Sequence, residues 1–195
     1  MIRIEEIHLA LEYMGDKWAF QKDVKDAQTK FIYSAETIDE VREQCAINNV
    51  DFKYALHRWY NFNCAKMHED FFIQNGAVKE NNPYHKTIDF YLFETPFDLK
   101  TTVFPKAITD KSSYDLNNRI GKNNLIKWMY ENQSTEGRYH LENRLFIVCS
   151  DMIKKSDFVQ IQNKIKLFIE FSKQYGFNII EIKNKNLCSD IIWIQ

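Results

Sequence analysis

The sequence predicts an α/β protein: a mixed β-sheet flanked by helices, behind a mainly helical N-terminal extension. Three observations lead there. Residues 85–105, HKTIDFYLFETPFDLKTTVFP, read as two short apolar strands with a turn at Glu94-Thr95-Pro96. The run Leu145–Cys149, LFIVC, is continuously apolar between polar neighbours, as a fully buried central strand is. Between and around these lie segments with apolar residues at three- and four-residue steps, the signature of helices packed on one face.

In chain order, residues 1–50 read as mainly helical. Ile2, Ile4, Ile7, Leu9 and Leu11 begin the pattern and Gly15-Asp16 interrupts it. Thr29–Tyr33 fits either a short strand or a helix. Thr37 followed by Glu40 is a capping box, and Ile38, Val41, Cys45 and Ile47 form the stripe behind it. Asp51 is a candidate N-cap for the strongest helix, where Phe52, Ala55, Leu56, Trp59, Phe62, Met67, Phe71 and Phe72 recur at helical spacing until Gly76. Such a helix of about 25 residues would span about 37 Å, so an internal break is expected.

After the polar loop Lys79–Pro83 come the two strands. Asn117–Asn132 reads as a helix with Ile120, Leu125, Ile126, Trp128 and Met129 inward. Following LFIVC, Ser156 is the expected cap of a helix whose inward positions are Phe158, Ile161, Ile165, Phe168, Ile169 and Ser172, with Gly176 as its stop. Phe177–Ile182 and Ile191–Ile194 close the chain as strands. Strand pairs combined with crossover helices imply a mixed sheet.

The chain's 195 residues suffice for a sizeable core, and 45% hydrophobic with 15% aromatic content excludes a disordered class. The net charge of −1 carries no bulk nucleic-acid signal. Residues 1–50 hold 6 Lys+Arg against 10 Asp+Glu, and residues 51–195 hold 20 against 17. Cys45, Cys64, Cys149 and Cys188 lack metal-finger spacing and sit among apolar residues, so buried free thiols in a reducing compartment are expected. With no signal-peptide pattern and no apolar run near the ~18 residues of a membrane span, the expectation is a cytoplasmic protein without membrane partners.

Chemistry concentrates in the strand pair. Asp98 and Lys100 are two apart on one strand and so share a face. Asp89, on the preceding strand, comes close to both if the two pair as a hairpin. Two carboxylates and an ammonium on a sheet surface suit a divalent cation. The bland reading of Asp98 and Lys100 is a surface ion pair on an edge strand.

The order of elements, with D-x8-D-x-K across the first two strands, resembles the PD-(D/E)xK nuclease superfamily over residues 52–195. Members share the restriction-endonuclease-like fold, whose core runs helix, three strands, helix, strand. The resemblance divides the chain into a helical extension, residues 1–50, and a nuclease core, residues 51–195. It implies Asp89, Asp98 and Lys100 as catalytic residues, with Glu69 on the preceding helix as a fourth. It implies Mg2+, with Mn2+ as a substitute, held by Asp89, Asp98, the Leu99 carbonyl and Glu69. Asp89 is preceded by Ile88 rather than the proline of the name-giving motif, and the glutamine-to-tyrosine signature of recombination exonucleases is not evident, although Gln133 and Tyr139 share one loop.

The activity implied is a metal-dependent deoxyribonuclease of restriction or prophage-related type acting on DNA, with a homodimer as one expectation for cutting both strands. The alternatives are a catalytically inactive nucleic-acid-binding or interaction protein on the same fold, and an unrelated globular protein with a coincidental D-x-K. Lys86, Lys106, Arg119, Lys122, Arg138 and His140 are candidate phosphate contacts, with Lys111 and Arg144 in the same basic runs.

Overall fold

The computed structural model describes residues 4–14, 23–82, 85, 87–132 and 141–195. Ile2, Gly15, Asp16, Pro83, Lys86, Gln133, Arg138, Tyr139 and His140, named above, lie outside them. Contacts divide the chain into two compact units, Met1–Met67 and His68–Gln195.

The first unit is helical, as its stripes predict: α1 Ile4–Met14, α2 Asp23–Gln28, a 3-10 turn Lys30–Tyr33, α3 Ile38–Asn48 and the first part of α4, Phe52–Gln74. Thr37 caps α3 by accepting the Glu40 N–H at 3.2 Å. The Glu40 carboxylate reaches back to the N–H of Glu36 at 2.7 Å, one residue beyond the usual partner in a capping box. Asp51 caps α4 through the Tyr54 N–H at 2.8 Å. Buried Trp59 donates its indole N–H to the Ala35 carbonyl at 2.8 Å, and the nearly buried Arg58 pairs with Asp26 at 3.2 Å. The Trp59 indole and the Arg58 guanidinium therefore each have a partner that offsets lost hydration. The break expected in the long helix is absent, since α4 runs unbroken for 23 residues.

The second unit is built on a six-stranded mixed sheet of order β1-β2-β3-β4-β6-β5. Gly76, at φ 99°, ends α4, and Ala77 N–H returns to the Phe72 carbonyl at 3.0 Å. Then come β1 Val78–Lys79, β2 Phe90–Leu92 and β3 Thr95–Val103, each antiparallel to the next. The β2–β3 turn is Phe93-Glu94, at φ 48° and 64°, with Leu92 opposite Thr95. A two-residue turn of this type needs positive φ at both central positions. Proline cannot supply that, so Thr95 and Pro96, expected in the turn, already belong to β3.

Helix α5, Arg119–Asn132, leads to β4, Arg144–Cys149, which runs parallel to β3. Helix α6, Phe158–Tyr175, follows, then the hairpin β5 Ile179–Ile182 and β6 Lys185–Ile194. β4 lies between β3 and β6, parallel to both, and Leu145–Cys149 are all buried, as an apolar central strand requires. Asp157 rather than Ser156 caps α6, taking the Gln160 N–H at 3.2 Å, because Ser156 is still in the preceding 3-10 turn.

α5 covers one face of the sheet. Its Leu125, Ile126, Met129 and Tyr130 pack on Phe146, Val148, Leu187 and Ile191. Ile120, expected inward, is 75% exposed. At 100° per residue it lies opposite the arc that carries Leu125 and Met129. The end of α4 and α6 cover the other face, where Phe72 stacks on Phe90 at 4.7 Å and meets Phe168 at 6.4 Å. Cys45, Cys64 and Cys149 are buried, Cys188 is half-buried, and all four are free thiols, as expected. No helix among the described residues is long and apolar enough to cross a membrane.

Candidate active site

β3 is the axis of the site. It lies inside the sheet, between β2 and β4, so Asp98 is not on an edge. Asp98 is 4% exposed, and such a burial is tolerable for a carboxylate only if both oxygens are met. They are: Lys100 Nζ lies 2.6 Å from Oδ1 and Arg144 Nε lies 3.1 Å from Oδ2. The lysine arrives by strand alternation, two residues along the same face. The arginine arrives by register, since Arg144 is opposite Asp98 in the parallel β3–β4 ladder.

Asp89 stands immediately before β2 rather than inside it, yet its backbone continues the ladder. Its N–H donates to the Phe97 carbonyl at 2.9 Å, and its carbonyl accepts the Glu80 N–H at 3.0 Å. Its side chain then takes the place of the next rung: Oδ2 accepts the N–H of Leu99 at 2.6 Å. In a strand, a residue's N–H and C=O point to the same side, so the Leu99 carbonyl lies on the edge of β3 that Asp89 faces. Burial raises the Asp89 carboxyl above the usual aspartate range, and repulsion from Asp98 and Glu69 adds to it.

Glu69, near the end of α4, is the fourth expected residue. It is half-buried and pairs with Lys79 of β1, Nζ to Oε1 at 2.9 Å. That hydrogen bond, and then the charges of Glu69, Asp70 and Asp89, raise the lysine above its ordinary value. Glu69 and Asp89 thus sit within electrostatic reach of each other and of one exposed ammonium.

Two side chains stabilise the arrangement from either face. On the α5 side, the Arg144 guanidinium lies over the Tyr130 ring at 5.0 Å, and Tyr130 donates its O–H to the Glu142 carbonyl at 2.6 Å. Burial pushes the Tyr130 phenol up to about 12. On the α4 side, fully buried His68 spans Thr101 Oγ1 at 2.9 Å and the Lys155 carbonyl at 3.0 Å. The carbonyl only accepts, so Nε2 carries the proton and Nδ1 accepts from the threonine hydroxyl. Burial lowers the imidazole to about 3, so it stays neutral.

Asp89, Asp98, Leu99 and Lys100 are therefore brought together, with Glu69 beside them. The candidate phosphate contacts Lys106, Arg119 and Lys122 stand elsewhere. Lys106 is exposed beyond the end of β3. Lys122, in the first turns of α5, lies 3.8 Å from Asp190 of β6, two strands along from Asp98. Its charge is partly matched there, and with Arg119 it counters the burial that raises Asp190. Sequence reasoning placed Arg144 only in a basic run and did not find its pairing with Asp98, nor the roles of Lys79 and His68. The one available signal was Arg144 itself, a charge opening an otherwise wholly apolar strand.

The donor set is all oxygen: two carboxylates and a carbonyl edge, with a third carboxylate nearby. That is the chemistry a hard divalent cation takes, and Asp89 keeps acceptor capacity beyond its one hydrogen bond. Comparison of the chain with protein-family models, with curated proteins and with solved structures returned no match.

Proposed function

We propose that this chain is a metal-dependent deoxyribonuclease on a restriction-endonuclease-like core. The observation that carries the reading is the meeting of Asp89 with the Asp98-Leu99-Lys100 strand, by the 2.6 Å bond to the Leu99 N–H and the 2.6 Å pair of Asp98 with Lys100. The element order supports it: α4, then β1–β2–β3, then α5 and β4 reproduce helix, three strands, helix, strand.

In this reading Asp89, Asp98 and the Leu99 carbonyl hold Mg2+, or Mn2+ in its place, with Glu69 completing the shell. Bound there, the cation acidifies a water and neutralises charge on the phosphoryl oxygens. Lys100 orients the attacking water from its place beside Asp98 and balances negative charge as the phosphorus–oxygen bond breaks. Asp89 holds the β3 main chain through Leu99, so the ligand edge does not drift. Neutral His68 fixes Thr101 from behind the strand.

A second reading, an inactive nucleic-acid-binding module on the same fold, is favoured by one observation. Both Asp98 oxygens are already matched, by Lys100 and Arg144. Such a closed network is also what a purely structural pair looks like.

Calorimetric titration with Mn2+ and a cleavage assay on duplex DNA separate the two. The nuclease reading expects Mn2+ binding, metal-dependent cutting, and a loss of about 10²-fold or more in rate for Lys100→Ala with the fold intact. Salt-sensitive DNA binding with neither Mn2+ binding nor cutting establishes the inactive module. A protein that neither binds Mn2+ nor cuts or binds DNA removes both.

A further inference from the structure

We propose that Arg144 is a phosphate-gripping residue of this site, contacting the substrate backbone beside Asp98; the inference rests on the nuclease reading above. A buried carboxylate needs one counter-ion, and Asp98 has two. Lys100 takes Oδ1, and the arginine takes Oδ2 through Nε alone. A guanidinium has five N–H donors. Among the described residues Nε–H is the only one of Arg144 with a hydrogen-bond partner. The remaining four belong to the two Nη groups, whose fork matches a pair of phosphate oxygens.

The side chain is also held as a binding group is held. It is 14% exposed, so most of the side chain is buried and a small part remains open to solvent. Its plane lies over the Tyr130 ring at 5.0 Å, and that ring is anchored by its own 2.6 Å hydrogen bond to the Glu142 carbonyl. Little rotamer freedom is then left to lose when an anion arrives. The ligand class is a phosphodiester oxygen pair, because a guanidinium beside an oxygen-rich cation site completes the neutralisation of one phosphoryl group. Structural pairing with Asp98 uses one nitrogen and predicts no effect on DNA affinity; the phosphate role predicts one.

The test measures binding of a fluorescein-labelled DNA duplex by anisotropy, with Ca2+ in place of Mg2+, alongside calorimetry with Mn2+ alone. Arg144→Gln is expected to weaken duplex binding about 10-fold and to reduce the slope of log affinity against log salt by about one. Its Mn2+ affinity is expected to hold or rise, because the variant removes a positive charge 3.1 Å from Asp98. Arg144→Lys is expected to keep the salt slope while recovering only part of the affinity, since it replaces a fork with a point charge.

Wild-type duplex affinity and slope in Arg144→Gln, with wild-type protein binding Mn2+ normally, overturn this inference alone. Wild-type protein that binds neither Mn2+ nor duplex overturns the nuclease reading with it. If Arg144→Gln does not fold, as thermal melting will show, Arg144→Lys decides: unchanged duplex affinity overturns the phosphate grip.

Discussion

The Asp89 carboxylate accepts the backbone N–H of Leu99 at 2.6 Å, standing in for a sheet rung where β2 and β3 part. Function and stability pull against each other at this residue. Burial, then repulsion from Asp98 and Glu69, raises its pKa, so the ionised form is disfavoured in the fold. The folded chain then binds more protons than the unfolded chain just above the ordinary aspartate range. Stability from this group is greatest at low pH and declines as pH rises through that window. Asp89→Asn keeps an acceptor for Leu99 and removes the charge. Its expected outcome at pH 7 is unchanged or higher stability with Mn2+ affinity reduced about 10-fold or more. Thermal melting and calorimetry check both halves, and a clear loss of stability counts against the burial argument.

Lys79 competes for the same carboxylates. Its ammonium lies 2.9 Å from Glu69, but the side chain is 60% exposed. An exposed pair of this kind contributes under about 1 kcal/mol, which limits the effect to about fivefold in affinity. Lys79→Gln is expected to tighten Mn2+ binding by up to that factor at low salt, and by less at high salt as screening weakens the repulsion. Weaker Mn2+ binding in the variant would show that Lys79 positions Glu69 rather than competing for it.

His68 predicts an acid limb in stability. Its pKa is lowered by burial to about 3, against an ordinary value near 6.5. Between those two values the unfolded chain binds the proton and the folded chain does not. The stabilisation is therefore complete above about pH 6.5 and is lost as pH falls toward 3, at no more than about 1.4 kcal/mol per pH unit. His68→Gln leaves one of the two bonds to Thr101 and Lys155 unmade. It is expected to cost about 1–3 kcal/mol at pH 7.5 and to flatten the slope below pH 6.5. Urea unfolding at pH 7.5, 6 and 5 measures both; an unchanged slope would locate the acid sensitivity elsewhere.

Features written locally in the chain were the legible ones. Asp51, Thr37, Gly76 and Gly176 mark helix ends because capping depends on a few neighbouring residues. Asp98 and Lys100 share a face by strand alternation alone, and five apolar residues in a row mark β4. What was hidden depends on register between distant segments. Arg144 meets Asp98 across 46 residues because β3 and β4 pair in parallel, and no local pattern encodes that pairing. β1 escapes notice because its two residues are exposed and exist as a strand only by bonding to β2. Lys79 could not be assigned to Glu69 until that strand was known.

Gly121 offers a test of how rigidly the start of α5 is built. In an exposed helix, Gly→Ala gains about 1 kcal/mol of helix propensity. Here a Cβ would stand 2.1 Å from the Asp115 carbonyl oxygen and 2.5 Å from its nitrogen. That backbone has little room to move. The Asp115 carboxylate holds the Asn117 N–H at 3.0 Å and the Asn118 side-chain amide at 2.8 Å, while Asn118 caps the helix through the Gly121 N–H at 2.8 Å. Overpacking of this kind costs about 1–3 kcal/mol and exceeds the propensity gain, because backbone rather than a flexible side chain is in the way. Gly121→Ala is therefore expected to lower the urea midpoint. Asp115→Ala, which frees the loop, is expected to make the Gly121→Ala change less costly in a double-mutant cycle. Additive costs would show that the loop yields without its aspartate clamp being loosened, and that the clash is relieved by movement of the helix instead.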